Sequence, residues 1–152
     1  MSELARIADE IQRAYAGPAW HGPCVLEALE GVTPQTASKQ PIAGAHSIWE
    51  LVHHIGAWAD IPRRRIMGEV FELTDEINFP PMPAATHAAW RNSLDGLKVS
   101  QQRLLDCVTS LTEGDLDRPS AKDGPSIYVV LHGVAQHHVY HAGQIVMLKK
   151  IV

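Results

Sequence analysis

Apolar residues recur at helical spacing in this chain, and no segment shows a sustained alternation of apolar and polar residues. Over residues 3–16 the apolar positions follow the i, i+3, i+4 pattern that places them on one helix face. Three longer segments repeat this pattern, at residues 48–67, 84–109 and 126–149. Only the beginning of the last one, "SIYVVLHGVAQ", is ambiguous between helix and strand. The periodicity therefore predicts an all-α protein with four long helices.

Turn and capping residues predict where some of these helices begin and end. Gly17 and Pro18 stop the first helix, and "PCVLEALEG" predicts a short additional helix over residues 23–30. Ser47 and Glu50 have the spacing of a capping box at the beginning of the second long helix.

Two long connections separate the helices, at residues 31–46 and 68–83. Pro62 lies inside the second long helix and predicts a kink or an early stop there. Helices of this number and length predict an antiparallel up-down four-helix bundle, with a short extra helix after the first. A chain of 152 residues fits one domain with a full core, so a single domain over residues 1–152 is expected.

The charge of the chain argues against a nucleic-acid partner. The formal net charge is −4 at pH 7 with neutral His, so no basic surplus is available to displace counterions and no nucleic-acid partner is expected.

No apolar run approaches the roughly 20 residues of a membrane helix, and "MSELARIADEIQRAY" is charged and amphipathic, unlike a signal peptide. A cytoplasmic protein with no membrane partner is expected. Cys24 and Cys107 match no disulfide or metal-binding spacing.

Five of the nine histidines fall in two short stretches of the predicted helices, "HH" at residues 53–54 and "HHVYH" at residues 137–141. His137 and His141 are four residues apart, so their side chains lie on one helix face with Cβ atoms roughly 5–6 Å apart. His54 lies on the inward face of the second long helix, while His53 is turned toward solvent or the edge of a neighbouring helix. His138 is turned about 100° away from the pair and is expected on the flank of its helix. This phasing predicts that His54, His137 and His141 meet in the core.

Three inward imidazoles need partners, because a buried polar group without a hydrogen bond is costly. A divalent cation binds neutral imidazole nitrogens at about 2.0–2.1 Å, and three protein ligands leave one coordination position open, as in catalytic sites. The spacing leaves two interpretations open. One is a three-histidine metal site, and the other is three core histidines that bind no metal. Three imidazoles also suit several divalent ions, so the metal is not determined.

Three stretches resemble the DinB/YfiT-like family of small helical bundles, and the resemblance covers nearly the whole chain. They are "AWHGPCVLEALEGVTPQTA", "HSIWELVHHIGAW" and "AQHHVYHAGQIVMLKK". The family pattern has one metal-binding His in the second helix and an HxxxH pair in the last, often followed by GQ. The matching positions in this chain are His54, His137 and His141.

The resemblance implies an antiparallel four-helix bundle that holds a divalent cation, often zinc or nickel, with water completing the coordination. It also implies frequent homodimers and a small-molecule substrate. Family members of known activity are mostly transferases or isomerases that use a low-molecular-weight thiol, and others are described as metal-dependent hydrolases. The DNA-damage-inducible family name describes expression.

Residues next to the predicted ligands are candidates for further roles. Glu50 is a candidate catalytic residue, as a base or as the partner of a ligand His, besides its capping role. Gln144 is a candidate to fix a ligand ring or contact substrate, besides making an ordinary hydrogen bond between helices. Tyr140 is expected to pack at the site or at a dimer face. Three further histidines keep undetermined roles: His21, His53 and His138.

Three functions fit these features. The first is a metal-dependent enzyme of the thiol S-transferase type, in which the cation stabilises the thiolate that attacks an electrophile. The second is a metal-dependent hydrolase, in which the cation supplies hydroxide by lowering the pKa of bound water toward about 7. The third is a non-catalytic bundle in which the cation only stabilises the fold or reports on metal or redox state.

Overall fold

Each long helix begins at a hydroxyl side chain that accepts a hydrogen bond from a backbone N–H in the first turn. The computed structural model describes all 152 residues, and the four caps are Ser2, Ser47, Thr86 and Ser126. Such caps satisfy donors that have no partner inside the helix. In chain order the helices are α1 (Glu3–Ala16), α2 (Val25–Leu29), α3 (Pro34–Ala37), α4 (Ile48–Ile66), α5 (Asp75–Asn78), α6 (His87–Ser110) and α7 (Ile127–Lys149), with a 3₁₀ turn at Glu113–Asp115. The predicted all-α fold with four long helices is confirmed.

Two short helices, α3 and α5, lie in the long connections, where the sequence predicts none. Each has four residues, too few for apolar periodicity to be visible, and each is capped by a threonine, Thr33 or Thr74. The predicted early stop at Pro62 does not occur, because α4 continues through this buried proline to Ile66.

The four long helices pack as a ring in which α1 contacts α7, α7 contacts α4, α4 contacts α6 and α6 contacts α1. One core cluster contains Tyr15 and Leu148, near the C-terminal ends of α1 and α7, together with Trp49 and Trp90, near the N-terminal ends of α4 and α6. Therefore α1 and α7 run in one direction, while α4 and α6 run in the opposite direction. The antiparallel pairs are α4 with α7 and α1 with α6.

The order of helix directions is thus up, down, down, up, which differs from the alternating up-down order that the sequence predicts. The physical reason is the connection between α4 and α6, residues 67–86, which leads the chain back to the end of the bundle where α4 began. A connection of this length reaches roughly 60 Å when extended, whereas a helix of 19 residues is only about 28 Å long.

The core has two apolar clusters, and the histidines of α7 lie between them. The residues of α7 in one cluster end at Ala135, and those in the other begin at Ala142. His137, His138 and His141 fall in this interval. None of the helices combines the length and the apolar character that crossing a bilayer requires.

Candidate metal centre

Three imidazole rings converge where the antiparallel helices α4 and α7 pack against each other. The Nε2 atom of His137 lies 3.1 Å from Nε2 of His54 and 3.0 Å from Nε2 of His141. The three donor atoms all lie within 4.8 Å of one another. The structure therefore brings together the three residues that the helical phase predicts.

Hydrogen bonds on the far side of two rings determine which nitrogen faces the centre as a lone pair. His54 Nδ1–H donates to the backbone oxygen of Asn78, at 2.8 Å. His141 Nδ1–H donates to Oε1 of Gln144, at 2.6 Å. A neutral imidazole carries one N–H, so Nε2 of both rings points to the centre without a proton. Such outer partners are the usual means by which proteins orient metal-binding histidines.

The donor set fits a divalent cation better than it fits hydrogen bonding alone. A proton on Nε2 of His137 can be donated to the Nε2 lone pair of either His54 or His141. The lone pair of the other ring is then left without a hydrogen bond. The Nδ1 atom of His137 is buried and has no hydrogen-bond partner. Nitrogen ligands about 2.05 Å from a tetrahedral ion lie roughly 3.3 Å apart, which is close to the shorter separations here.

Burial keeps these rings neutral. Loss of solvation, followed by repulsion from His141 and His54, lowers the pKa of His137 to about 3. Burial likewise lowers the pKa of His141 to about 4 and lowers the pKa of His54 below its usual value. At pH 7 the three lone pairs are therefore available to a cation without competition from protons.

An aromatic ring from the connection between α4 and α6 covers one face of His54. The ring of Phe79 stacks on His54 with centroids 4.1 Å apart and planes at 9°, and His46 stacks on the other face of Phe79 at 3.8 Å. Trp58 lies beside His54 and donates its Nε1–H to the side-chain oxygen of Asn78, at 2.8 Å. Asn78 thus forms hydrogen bonds with both His54, a candidate metal ligand, and Trp58, which lies beside it.

Asn78 is a functional residue that reasoning from the sequence missed. It is the last residue of α5 and binds His54 through its backbone oxygen, which any residue type could supply. The only local signal is the "TDEIN" stretch, in which Thr74 caps α5. That signal predicts a helical turn, but it does not predict which side chain the turn approaches.

Gln144 contacts the candidate centre, whereas Glu50 is held in the helix cap. Glu50 Oε2 accepts hydrogen bonds from the backbone N–H of Ser47, at 2.7 Å, and from Nε2 of Gln40, at 2.9 Å. Its other oxygen lies 3.6 Å from Nδ1 of His46. The capping box is confirmed, and the catalytic role of Glu50 stays a prediction.

The remaining histidines on these two helices face other neighbours. His53 is turned toward α6, with Nε2 2.8 Å from Oγ of Ser93 and Nδ1 3.3 Å from the backbone oxygen of Pro80. His138 is fully buried next to Tyr15, so its predicted place on the flank is wrong. The reason is that α1 and α2 pack on α7 as well as α4, which leaves little of α7 exposed. His21 is exposed in the loop after α1.

We predict that Gln144→Leu lowers metal affinity about 10- to 100-fold, the usual cost of losing an outer partner of a ligand. The substitution removes the acceptor of His141 Nδ1–H, so this ring can turn or change tautomer. Gln144→Glu keeps an acceptor oxygen and should retain most of the affinity. Competition with a chelator of known affinity measures the effect, and Gln136→Leu, at an exposed position of the same helix, is the control. Equal metal affinities in the wild type and the three variants would show that Gln144 does not orient His141.

Comparison with known proteins places this geometry in a family. A family model described as the DinB superfamily matches residues 24–145, about four fifths of the chain. Searches among curated proteins and among solved structures found no match. Because the matched span contains the three converging histidines and most of the bundle, the chain belongs to the DinB superfamily.

Proposed function

We propose that the protein binds one divalent cation, zinc or nickel, through Nε2 of His54, His137 and His141, and that it transfers a low-molecular-weight thiol to a small electrophile. The observation that carries this proposal is the convergence of three Nε2 atoms, two of which are held as lone pairs by Asn78 and Gln144. Three protein ligands leave one position for an exogenous group, as in catalytic sites.

Three neutral imidazoles leave the full positive charge of the cation uncompensated, which favours an anionic fourth ligand. A divalent cation lowers the pKa of a thiol that binds it, so that the thiolate is the form present at neutral pH. The residues of the chain supply orientation and shelter. Gln144 and Asn78 hold two of the rings, and Phe79 and Trp58 cover the His54 side of the centre from water.

The surroundings of the three histidines favour thiol transfer over hydrolysis. Hydrolysis by a bound water gains from a general base near the metal. The group of possible ligands contains three histidines and no carboxylate, and Glu50 is engaged by Ser47 and Gln40. Because a thiol bound to a divalent cation is acidic enough to ionise without a base, the absence of a carboxylate from this group does not hinder the transfer.

A matched panel of reactions tests the proposal. Metal-loaded protein is incubated with cysteine or glutathione and with an aryl halide, an alkyl halide or an enone, and the thioether product is measured. With chlorodinitrobenzene the carbon–sulfur bond forms as chloride leaves, and the thiol proton is released to buffer. We expect product that depends on both thiol and metal, and that is lost in His137→Ala and retained in His87→Ala, whose exposed histidine lies at the start of α6.

Two results would overturn the proposed activity. Cleavage of nitrophenyl esters by the metal-loaded protein without any thiol, combined with no thioether product, would favour a hydrolase. Metal binding at one equivalent with no product in any reaction would favour a non-catalytic metal-binding bundle.

A further inference from the structure

We infer, on the basis of the proposed function, that the cavity next to His141 binds an uncharged, largely apolar electrophile that carries a hydrogen-bond acceptor, and that the hydroxyl group of Tyr140 recognises this acceptor. The cavity has a volume of about 630 Å³, within the range of small-molecule sites. It lies between the loop that precedes α4 and the C-terminal half of α7. His141 and Gln144 form part of its wall, so it adjoins the candidate metal centre.

The wall of the cavity determines the polarity of its occupant. Ile42, Leu51, Met147 and Leu148 are among the apolar residues that line it, and no Asp, Glu, Lys or Arg does. The residues of this wall offer no ionic partner to a charged ligand, which would lose hydration here at a cost. Ile42 and Met147 are 46% and 59% exposed, so apolar surface stays in contact with water until a ligand covers it. Covering such surface with an apolar ligand removes it from water, which favours binding.

A chain of hydrogen bonds connects His141 to the hydroxyl group of Tyr140. Because Gln144 Oε1 accepts from His141 Nδ1–H, the amide group of Gln144 turns its Nε2 toward Tyr140. This Nε2 donates to the Tyr140 hydroxyl oxygen, at 3.3 Å. The hydroxyl oxygen is then occupied as an acceptor, while its proton has no acceptor in the protein. Tyr140 therefore offers a donor at the cavity wall, and a ligand carbonyl is a suitable acceptor.

The Tyr140 hydroxyl group lies close to the candidate metal centre, which gives it a function in substrate specificity. Tyr140 precedes His141 in the chain, and their rings are 4.9 Å apart. A substrate acceptor that binds the Tyr140 hydroxyl group is thus next to His141, a candidate metal ligand. A donor at a defined place in an apolar pocket is the usual way to orient a ligand. In this arrangement Tyr140 positions the electrophile, and Gln144 is a positioning residue for both Tyr140 and His141.

Binding of three fluorescent probes to the whole protein tests the inference without any measurement of activity. Phenylnaphthylamine is uncharged, anilinonaphthalene sulfonate is its anionic counterpart, and prodan is uncharged with a ketone oxygen. Titrations are made with metal-loaded and with chelator-treated protein. We expect both uncharged probes to bind, and the sulfonate to bind the chelator-treated protein at least about tenfold more weakly, because without the cation the cavity offers its charge no partner.

Two variants and a control assign the binding to this cavity. Tyr140→Phe should weaken prodan about three- to tenfold, the value of one neutral hydrogen bond, and leave phenylnaphthylamine unchanged. Met147→Glu should weaken both uncharged probes, because it places a carboxylate on the wall. Val129→Glu makes the same kind of change at an exposed position of α7 outside the cavity and should weaken neither probe.

The inference is overturned if the sulfonate binds the chelator-treated protein as tightly as its uncharged counterpart does, if Tyr140→Phe affects both uncharged probes equally or neither, or if Met147→Glu has no effect. These results are separate from those that test the proposed function. Loss of metal in histidine variants and thiol transfer by the loaded protein can fail while the probes still bind as expected. Conversely, the probes can fail to bind as expected while metal binding and thiol transfer persist.

Discussion

His137→Ala is expected to abolish stoichiometric metal binding while the helix content remains nearly unchanged. His137 is the only residue whose Nε2 lies within 3.1 Å of both other rings, so its removal leaves two ligands and opens the centre to water. Loss of an outer partner alone costs about 10- to 100-fold in affinity, and loss of a ligand should cost at least as much. Elemental analysis by mass spectrometry, on protein purified without an affinity tag, measures the metal, and circular dichroism measures the helix content.

Further variants make this result specific to the three-histidine centre. His54→Ala and His141→Ala should behave as His137→Ala does, because each supplies one of the three Nε2 atoms. His87→Ala removes an exposed histidine and should keep about one equivalent of metal, as the wild type does. One equivalent of metal in the folded His137→Ala protein would refute the ligand set. Wild-type protein that takes up no metal on reconstitution would leave the three residues as core histidines.

Trp49→Ala is expected to lower the free energy of unfolding by about 3–5 kcal/mol, the usual range for removal of a large buried aromatic side chain. The Trp49 side chain is fully buried, and its ring packs edge-on against Trp90, with centroids 5.0 Å apart. Its Nε1–H lies 2.9 Å from Oγ of Ser93. The substitution therefore leaves a cavity between α4 and α6 and removes the donor to this oxygen. Thermal unfolding should show a fall of roughly 6–20 °C in Tm.

Trp20→Ala is the matched control, because Trp20 lies in the loop after α1 with its side chain completely exposed. Its replacement should change the free energy of unfolding by less than about 0.5 kcal/mol. Urea unfolding of the two variants, followed by circular dichroism, gives both values. A loss of less than about 1 kcal/mol in Trp49→Ala, or equal losses in the two variants, would contradict the packing around Trp49.

The candidate site could be predicted to the extent that it depends on helical phase. His137 and His141 share a face because they are four residues apart, and His54 lies on the inward face of α4. Both facts follow from the geometry of a helix that can be identified by its apolar residues. The capping box of Ser47 and Glu50 was likewise predictable, because a cap depends on residues three apart in the chain.

The outer partners of the histidines depend on contacts between distant segments and could not be predicted in the same way. Asn78 reaches His54 through a backbone oxygen, so its side chain carries no signal of this role. The burial of His138 depends on α1 and α2 covering a second face of α7. A short helix of four residues, such as α5, is also too brief for its periodicity to be recognised.

The four long helices, the helix face of each candidate ligand and most of the helix ends follow from the amino-acid sequence alone, because they depend on interactions within a few residues. Three features follow only from the folded structure: the order of helix directions, the neighbours of His138 and the hydrogen bond between His54 and Asn78. These features depend on how residues 67–86 cross the bundle and on which helices pack together. The free energies involved arise from contacts between residues far apart in the chain, which no local pattern records.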